Sequence, residues 1–433
     1  MKHAHYRLSR RSSIRYRDLG SFSVGGDATD NDGSVESSLA ALADALDAGL
    51  RHKAGFPGAD DIDYSPLWRF FRYELNNIGD PYDDPVLSHH TKSFEREAIE
   101  FFADLLHAPI GDRWGYVTTG SSECLQYGFL RARRFYPNGL AYFSTSAHYK
   151  VPRILEDLRI PTVAVPATAL GEISYPDLRA AIARHPGQPA IILATAGTTM
   201  TEAVDDVGKI TELLDDLGVV DRYIHVDAAL SGIPLSLMPV DNRPSFDFSA
   251  GADSVGFSLH KFLATRMPGG VVVTRHTPAP GIRLRVPYTG AADTTITCSR
   301  NAHMALMAWY AVRTLGADGL RDRAKRALAT AAYLEQRLTE MAWPAWRHPH
   351  ATTVVLKTPP RRVASRWQLA TVRDGWSHYI CLPGRGRDQV DEFLSDLAAA
   401  PASATYRTTS EPVAEQIDHQ PAEAACGSRS IPD

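Results

Sequence analysis

From Leu140 onward, short apolar runs alternate with segments of helical periodicity, and this alternation constrains the fold more than any other feature of the chain. Leu140 to Ser144, Thr162 to Pro166, Ala190 to Thr199, Tyr223 to Ala229, Ser254 to Leu259 and Val271 to Thr274 read as strands. Val151 to Leu158, Tyr175 to His185 and Val207 to Leu217 lie between them with the spacing of helices. Strands separated by helices of this length predict an α/β fold built on a parallel sheet.

Two charged residues stand at the ends of two of these strands. Lys261 follows the run Ser254 to His260 and precedes Met267-Pro268-Gly269-Gly270, so it reads as an exposed lysine between a strand end and a tight turn. A lysine at a sheet edge can lose solvation and its proton, which makes it an amine nucleophile able to hold an aldehyde as a Schiff base. The same residues also describe a surface lysine beside a core histidine. Asp227 closes the apolar run Tyr223-Ile224-His225-Val226 and is followed by Ala228 and Ala229. A buried acid is costly unless a cation or donor meets it. A protonated pyridine nitrogen would meet it, and two alanines leave room for a flat ring. An aspartate capping a turn is the plainer alternative. Lysine and aspartate at two strand ends suggest one cofactor held at both ends, pyridoxal 5'-phosphate.

A third feature fits an anion. Gly120-Ser121-Ser122 enters a helical run from Cys124 to Phe135, and a helix start offers backbone N–H groups, hydroxyls and a favourable dipole. An ordinary N-cap has the same composition.

With these residues in place, His225-Val226-Asp227-Ala228-Ala229-Leu230-Ser231-Gly232 and Ser258-Leu259-His260-Lys261 resemble the signatures of the pyridoxal-phosphate-dependent group II amino-acid decarboxylases. The likeness is to the bacterial histidine decarboxylase branch, and extends to valine and serine decarboxylases. It runs from about Gly55 to about Leu397 and includes Gly55-Phe56-Pro57, Asp63-Tyr64, Asn76 to Pro81, Trp114 to Thr118, Ala147-His148-Tyr149, Gly197-Thr198-Thr199 and Thr297 to Asn301. The resemblance implies a fold type I enzyme with a mostly parallel seven-stranded sheet. An N-terminal arm and helix would occupy 1–50, a large cofactor-binding domain 51–305, a small C-terminal α+β domain 306–400 and a disordered tail 401–433.

The resemblance also assigns roles. Lys261, His148 and Asp227 become the catalytic candidates. Gly120, Ser121, Ser122 and Ser258 fall on the phosphate side, Thr199 beside the ring's 3-oxygen, and Ala229 against the ring. His148 stacks on the ring near the reacting carbon, and His260 seats the phosphate or the histidine–lysine turn. Phe56, Tyr288 and Ser299 are substrate-pocket candidates. The family is dimeric, so a homodimer is expected. The reaction implied is α-decarboxylation of an L-amino acid to a primary amine and carbon dioxide. Transamination or oxidative deamination on the same cofactor, and a non-catalytic scaffold on the same fold, are the alternatives.

The substrate is less determined. Ala292 stands where the bacterial histidine decarboxylase pattern has a histidine, Cys298 replaces a glycine, and Leu259 replaces the glycine before His-Lys. These changes weaken histidine and favour a small or branched aliphatic substrate such as valine. A net charge of −4 with mixed signs offers no basic field for nucleic acid or an anionic membrane. Cys124, Cys298, Cys381 and Cys426 lack metal-ligand spacing, and no metal is expected. No apolar run approaches the roughly 20 residues of a bilayer span. Met1-Lys2-His3-Ala4-His5 has no hydrophobic region after it, so a cytoplasmic enzyme is expected.

Overall fold

The computed structural model describes residues 32–275, 284–372 and 375–400, so the expected arm before residue 32 and tail from 401 lie outside the described residues. Helix α1 (Asp32–Leu50) is followed by a 3-10 turn (Ser65–Arg72), then α2 (Lys92–Leu105), β1 (Arg113–Thr118) and α3 (Ser121–Phe135). Next come β2 (Leu140–Ser144), α4 (Val151–Asp157), β3 (Thr162–Val165), α5 (Tyr175–Ala183), β4 (Ala190–Thr195), α6 (Val207–Asp216) and β5 (Arg222–Asp227). The short α7 (Gly232–Ser236) then leads to β6 (Ser254–Ser258), the single-turn α8 (Leu259–Phe262) and β7 (Gly270–Arg275).

Among the described residues these seven strands form one sheet in the order β1-β7-β6-β5-β4-β2-β3. Strands β2 to β6 run parallel, and β7 runs against both its neighbours, β1 and β6. The mostly parallel seven-stranded sheet expected from the sequence is therefore present. Helices carry the chain back between parallel strands, whereas the Leu259–Gly269 connection is too short for a crossover and turns β7 around. Helices cover both faces, so β4 is buried along its whole length and reads as a continuous apolar run.

A two-stranded hairpin, β8 (Arg285–Val286) and β9 (Ala291–Ala292), precedes α9 (Ala302–Glu340). Then follow β10 (Ala345–Trp346), β11 (Thr353–Lys357), α10 (Arg361–Arg366), β12 (Ala370–Thr371), β13 (Trp376–Ile380) and α11 (Arg387–Ala398). Strands β10 to β13 make an antiparallel sheet in the order β10-β11-β13-β12, with a core of its own that includes Leu334, Val354, Trp367, Tyr379 and Phe393. The first half of α9 packs on the main core through Met304, Ala308 and Val312, and the second packs on the small sheet through Ala331 and Leu338. Among the described residues no helix is long and apolar enough to cross a membrane.

Helix α9 breaks at Gly316, where φ is 60° and ψ −177°, which is why the sequence reads as two helices on either side. Only glycine adopts that backbone conformation readily. A Cβ there would touch nothing within 4 Å, so the requirement is conformational and not steric crowding. Gly316→Ala is expected to destabilise the protein by about 1–3 kcal/mol. An uninterrupted helix would instead gain about 1 kcal/mol from the same change. The shift of the urea-unfolding midpoint gives the sign.

Candidate active site

Parallel strands end on a common edge, and the loops leaving that edge carry the candidate residues. Asp227 is the last residue of β5 and Thr195, its partner in register, the last of β4. Ser258 ends β6, while Gly120 follows β1 and His148 follows β2. Asp227 is 5% exposed, and the Ala229 N–H donates to its Oδ1 at 3.1 Å. Burial pushes its carboxyl up from the ordinary range, and the charges of Lys261 and His148 together with that N–H pull it back.

Lys261 departs from the expectation. It does not project from an exposed turn; it lies partly buried on α8. The reason is packing: Leu259 and Phe262 on either side are 0% and 1% exposed and draw the turn into the core. Burial lowers the pKa of the Lys261 amine, against the fields of Asp227 and Glu202, which raise it. Leu259 is a core residue and does not line the rim.

The anion cradle expected from the sequence is Gly120-Ser121-Ser122. Gly120 has φ 155° and ψ 170°, and a Cβ built there would meet nothing within 4 Å, so the space over this backbone is open. Ser121 Oγ lies 2.5 Å from Ser258 Oγ, joining the start of α3 to the end of β6. Ser122 is exposed. Glu123 accepts from the Thr119 N–H (2.8 Å), Thr119 Oγ1 (2.7 Å) and Tyr116 OH (2.9 Å), which fixes the loop entering α3. His260 Nδ1 lies 3.2 Å from the Gly269 carbonyl oxygen and is engaged by the turn between β6 and β7.

His148 is partly buried, and burial lowers its pKa while the field of Asp227 raises it. The Lys150 N–H points at His148 Nδ1 from 3.3 Å. Thr199 is exposed, whereas Thr198 is buried and spends its hydroxyl on Thr201 and the Ala203 N–H. The Thr195 hydroxyl, beside Asp227 in the sheet, is one of those buried without a partner. Phe56 (52% exposed), Tyr288 (81%) and the exposed Ser299 face solvent, and Ser299 accepts from Asn76 Nδ2 at 3.0 Å. The structure thus brings Lys261, Asp227, His148 and Ala229 together with Ser121 and Ser258, while Ser122, Thr199, Phe56, Tyr288 and Ser299 are exposed.

Nothing in the local sequence marks Glu202, since a charge in a loop reads as solvated. It is 1% exposed at φ 57°, and accepts from Ser231 Oγ (2.8 Å) and from the Thr352 N–H (3.0 Å) on the small-sheet side. Asp205 was also missed. It accepts the N–H groups of Thr195 and Ile173, fixing the end of β4, and burial pushes its carboxyl up to about 7.

These residues fit pyridoxal phosphate. Among the described residues, Asp227 has a hydrogen bond to one oxygen only, an orphaned hydroxyl stands beside it, a partly buried amine shares its field, and an open glycine cradle leads a helix.

Residues 91–343 match the pyridoxal-dependent decarboxylase conserved domain. The chain is 39% identical over 344 residues to the histidine decarboxylase of Mesorhizobium japonicum, an alignment covering 79% of this chain and 92% of that protein. It is 37% identical over 350 residues to the histidine decarboxylase of Morganella morganii, covering 80% and 91%. The L-methionine decarboxylase of Streptomyces sp. 590 shares the fold, with a TM-score of 0.81 at 22% identity over 89% of this chain and 98% of that one.

Glu202 raises the pKa of the Lys261 amine through its charge, so Glu202→Gln should lower it and enlarge the free-amine fraction. In cofactor-stripped protein, an amine-reactive reagent should then label Lys261 faster at about pH 7–8, as read by peptide mass spectrometry. Equal or slower labelling would contradict the electrostatic link.

Proposed function

We propose that this chain, which belongs to the pyridoxal-dependent decarboxylase family, removes the α-carboxylate of L-histidine to give the primary amine and carbon dioxide. That it is a pyridoxal-phosphate-dependent amino-acid decarboxylase follows from the family; histidine is our reading of the substrate. The observation that carries the chemistry is the buried Asp227 sharing its field with Lys261 at the ends of adjacent strands.

When bound, the cofactor supplies a protonated aromatic ring that accepts the electron pair released as the Cα–carboxylate bond breaks. Lys261 is assigned to hold the cofactor's aldehyde carbon, its amine made available by burial. Asp227 would keep the pyridine nitrogen protonated, since a buried carboxylate gains most from a cation it can bond directly. The Ser121 and Ser258 hydroxyls, with the backbone of Gly120 to Ser122 at the start of α3, would bind the phosphate. His260 would hold the turn that presents Lys261. His148 would lie over the ring and, in its protonated form, return a proton to Cα; burial lowers its pKa and so makes the imidazolium the readier donor. Ala229 would leave the ring its space. Thr199 would reach the ring's oxygen side, and Phe56, Tyr288 and Ser299 would wall the substrate. Residues 51–305 then form the part that binds the cofactor and 306–400 a small domain beside it.

Histidine is supported by the identity to two histidine decarboxylases across most of their length. A compact aliphatic substrate such as valine is favoured by Ala292 and Cys298. Carbon dioxide release measured across the standard amino acids decides between them. Histidine should exceed valine in kcat/KM by about tenfold or more, and Lys261→Ala should reduce turnover to background. A preference for valine would select the second reading, and a keto acid or aldehyde as main product would exclude simple decarboxylation.

We further propose a homodimer. Helix α1 exposes Leu39 (62%), Leu42 (41%), Leu46 (62%) and Leu50 (48%) along one face, an apolar stripe that a second copy would cover. Sedimentation of the holoenzyme should give twice the chain mass, and a monomer would refute the pairing.

A further inference from the structure

One buried ring outside the cofactor rim touches both segments that wall it. His378 on β13 is 1% exposed. Its Nε2 lies 2.9 Å from the carbonyl oxygen of Gly55, and its Nδ1 lies 3.2 Å from that of Met200. Gly55 immediately precedes Phe56, and Met200 immediately follows Thr199. The Gly55 segment is a strap tied at both ends. The Ile380 N–H donates to Ala54 O at 2.9 Å, Arg385 Nη2 donates to Phe56 O at 3.2 Å, and the Ala59 N–H donates to the carbonyl of Lys261 at 2.9 Å. On the other side, Glu202 links the loop after β4 to Thr352.

We propose that His378 is a positioning residue of the active site: its imidazole ties the Gly55–Phe56 strap and the Thr199–Met200 loop to one strand and so sets the spacing of two pocket walls. What those walls enclose rests on the function proposed above, but the tie does not.

Both partners of the ring are acceptors, so each contact needs an N–H. A neutral imidazole has one and an imidazolium two. The tie is therefore complete on the acid side of the ring's pKa and half-made on the alkaline side. Burial lowers that pKa, and the two carbonyls and the charge of Glu202 oppose the shift. The other charged or titratable groups on the surrounding elements are engaged elsewhere. Lys53 and Asp60 of the strap interact with each other and with Arg385 beyond β13; Lys357 of β11 lies over Trp376, and His350 before β11 meets the backbone of Glu202.

Hydrogen–deuterium exchange of the holoenzyme, read for peptides covering 52–60 and 197–203, tests the tie without substrate. His378→Phe keeps the ring shape and removes both donors. Exchange in both segments should rise about fivefold, and KM about three- to tenfold, with kcat within about twofold. His378→Gln retains an amide donor and should restore protection to one segment only. Unchanged exchange in both segments of His378→Phe would overturn the proposal. In the wild-type protein, protection corrected for intrinsic rates should fall in one of the two segments as pH rises through the ring's pKa, with the midpoint below the ordinary histidine value of about 6.5. If neither variant folds, that titration decides, and a flat profile would overturn the proposal. Altered exchange in a protein that releases no carbon dioxide would leave the tie standing and sink the function; unchanged exchange in an active decarboxylase would do the reverse.

Discussion

The arrangement depends on a carboxylate that the fold puts out of reach of water. Asp227 closes a strand flanked by strands on both sides, and its burial is a consequence of its place in the middle of the sheet. An unpaired buried carboxylate is unfavourable by several kcal/mol, and one backbone N–H offsets only part of that. The field of Lys261 supplies more, yet burial still drives acid and amine toward their neutral forms. Such a pair is poorly satisfied alone and well satisfied by a group that offers a cation to the acid and a carbonyl carbon to the amine.

A second set of buried acids keeps the edge of the sheet in shape. Asp205 holds the backbone of Thr195 and Ile173, so the end of β4 cannot drift away from Asp227. Glu202 adopts a left-handed backbone that disfavours any side chain by about 1–2 kcal/mol. Its bonds to Ser231 and Thr352, worth about 1 kcal/mol each or somewhat more for a charged acceptor, are of the size needed to offset this. The strain is thus located where the main sheet meets the small one, beside Lys261.

Strands β2 to β7 of the main sheet were legible as short apolar runs in an alternation with helical segments, whereas Trp114 to Thr118, which lies in β1, was read only as a motif. The break in α9 was legible too, because the periodicity reads as two helices, His303 to Thr314 and Leu320 to Trp343. The state of Lys261 was not. Leu-His-Lys-Phe has no local signal separating a turn from one turn of helix, and the burial of Leu259 and Phe262 decides it. The hydroxyl pair Thr198-Thr199 drew attention away from Thr195, whose significance comes from standing opposite Asp227 in register. Glu202 and His378 were invisible for a related reason. Glu202 reaches Thr352 and His378 reaches Met200, each across more than a hundred residues, and no periodicity encodes such pairs. The motifs Asn76 to Pro81 and Thr297 to Asn301 could be recognised singly, but not the clasp they make. In it the Arg300 guanidinium bonds Glu95 and the Gly79 carbonyl, and the Asn77 N–H bonds Arg300 O.

That clasp bears on how one cofactor site can serve different amino acids. Ala292 and Cys298, two of the three positions that depart from the histidine decarboxylase pattern, are both held through their main chains. The Asp80 N–H donates to Ala292 O at 2.8 Å, the Ala292 N–H to Asp83 Oδ2 at 2.7 Å, and the Gly79 N–H to Cys298 O at 3.1 Å. None of these bonds uses the side chain that differs. A substitution at the exposed Cys298 leaves the backbone scaffold its partners, whereas Ala292 is 2% exposed and added bulk there would meet packed neighbours. The residues assigned to the cofactor lie on other loops, held by Ser121–Ser258, Asp227–Ala229 and the His260–Gly269 turn. The main-chain bonds at Ala292 and Cys298 are thus separate from those that hold the residues assigned to the cofactor.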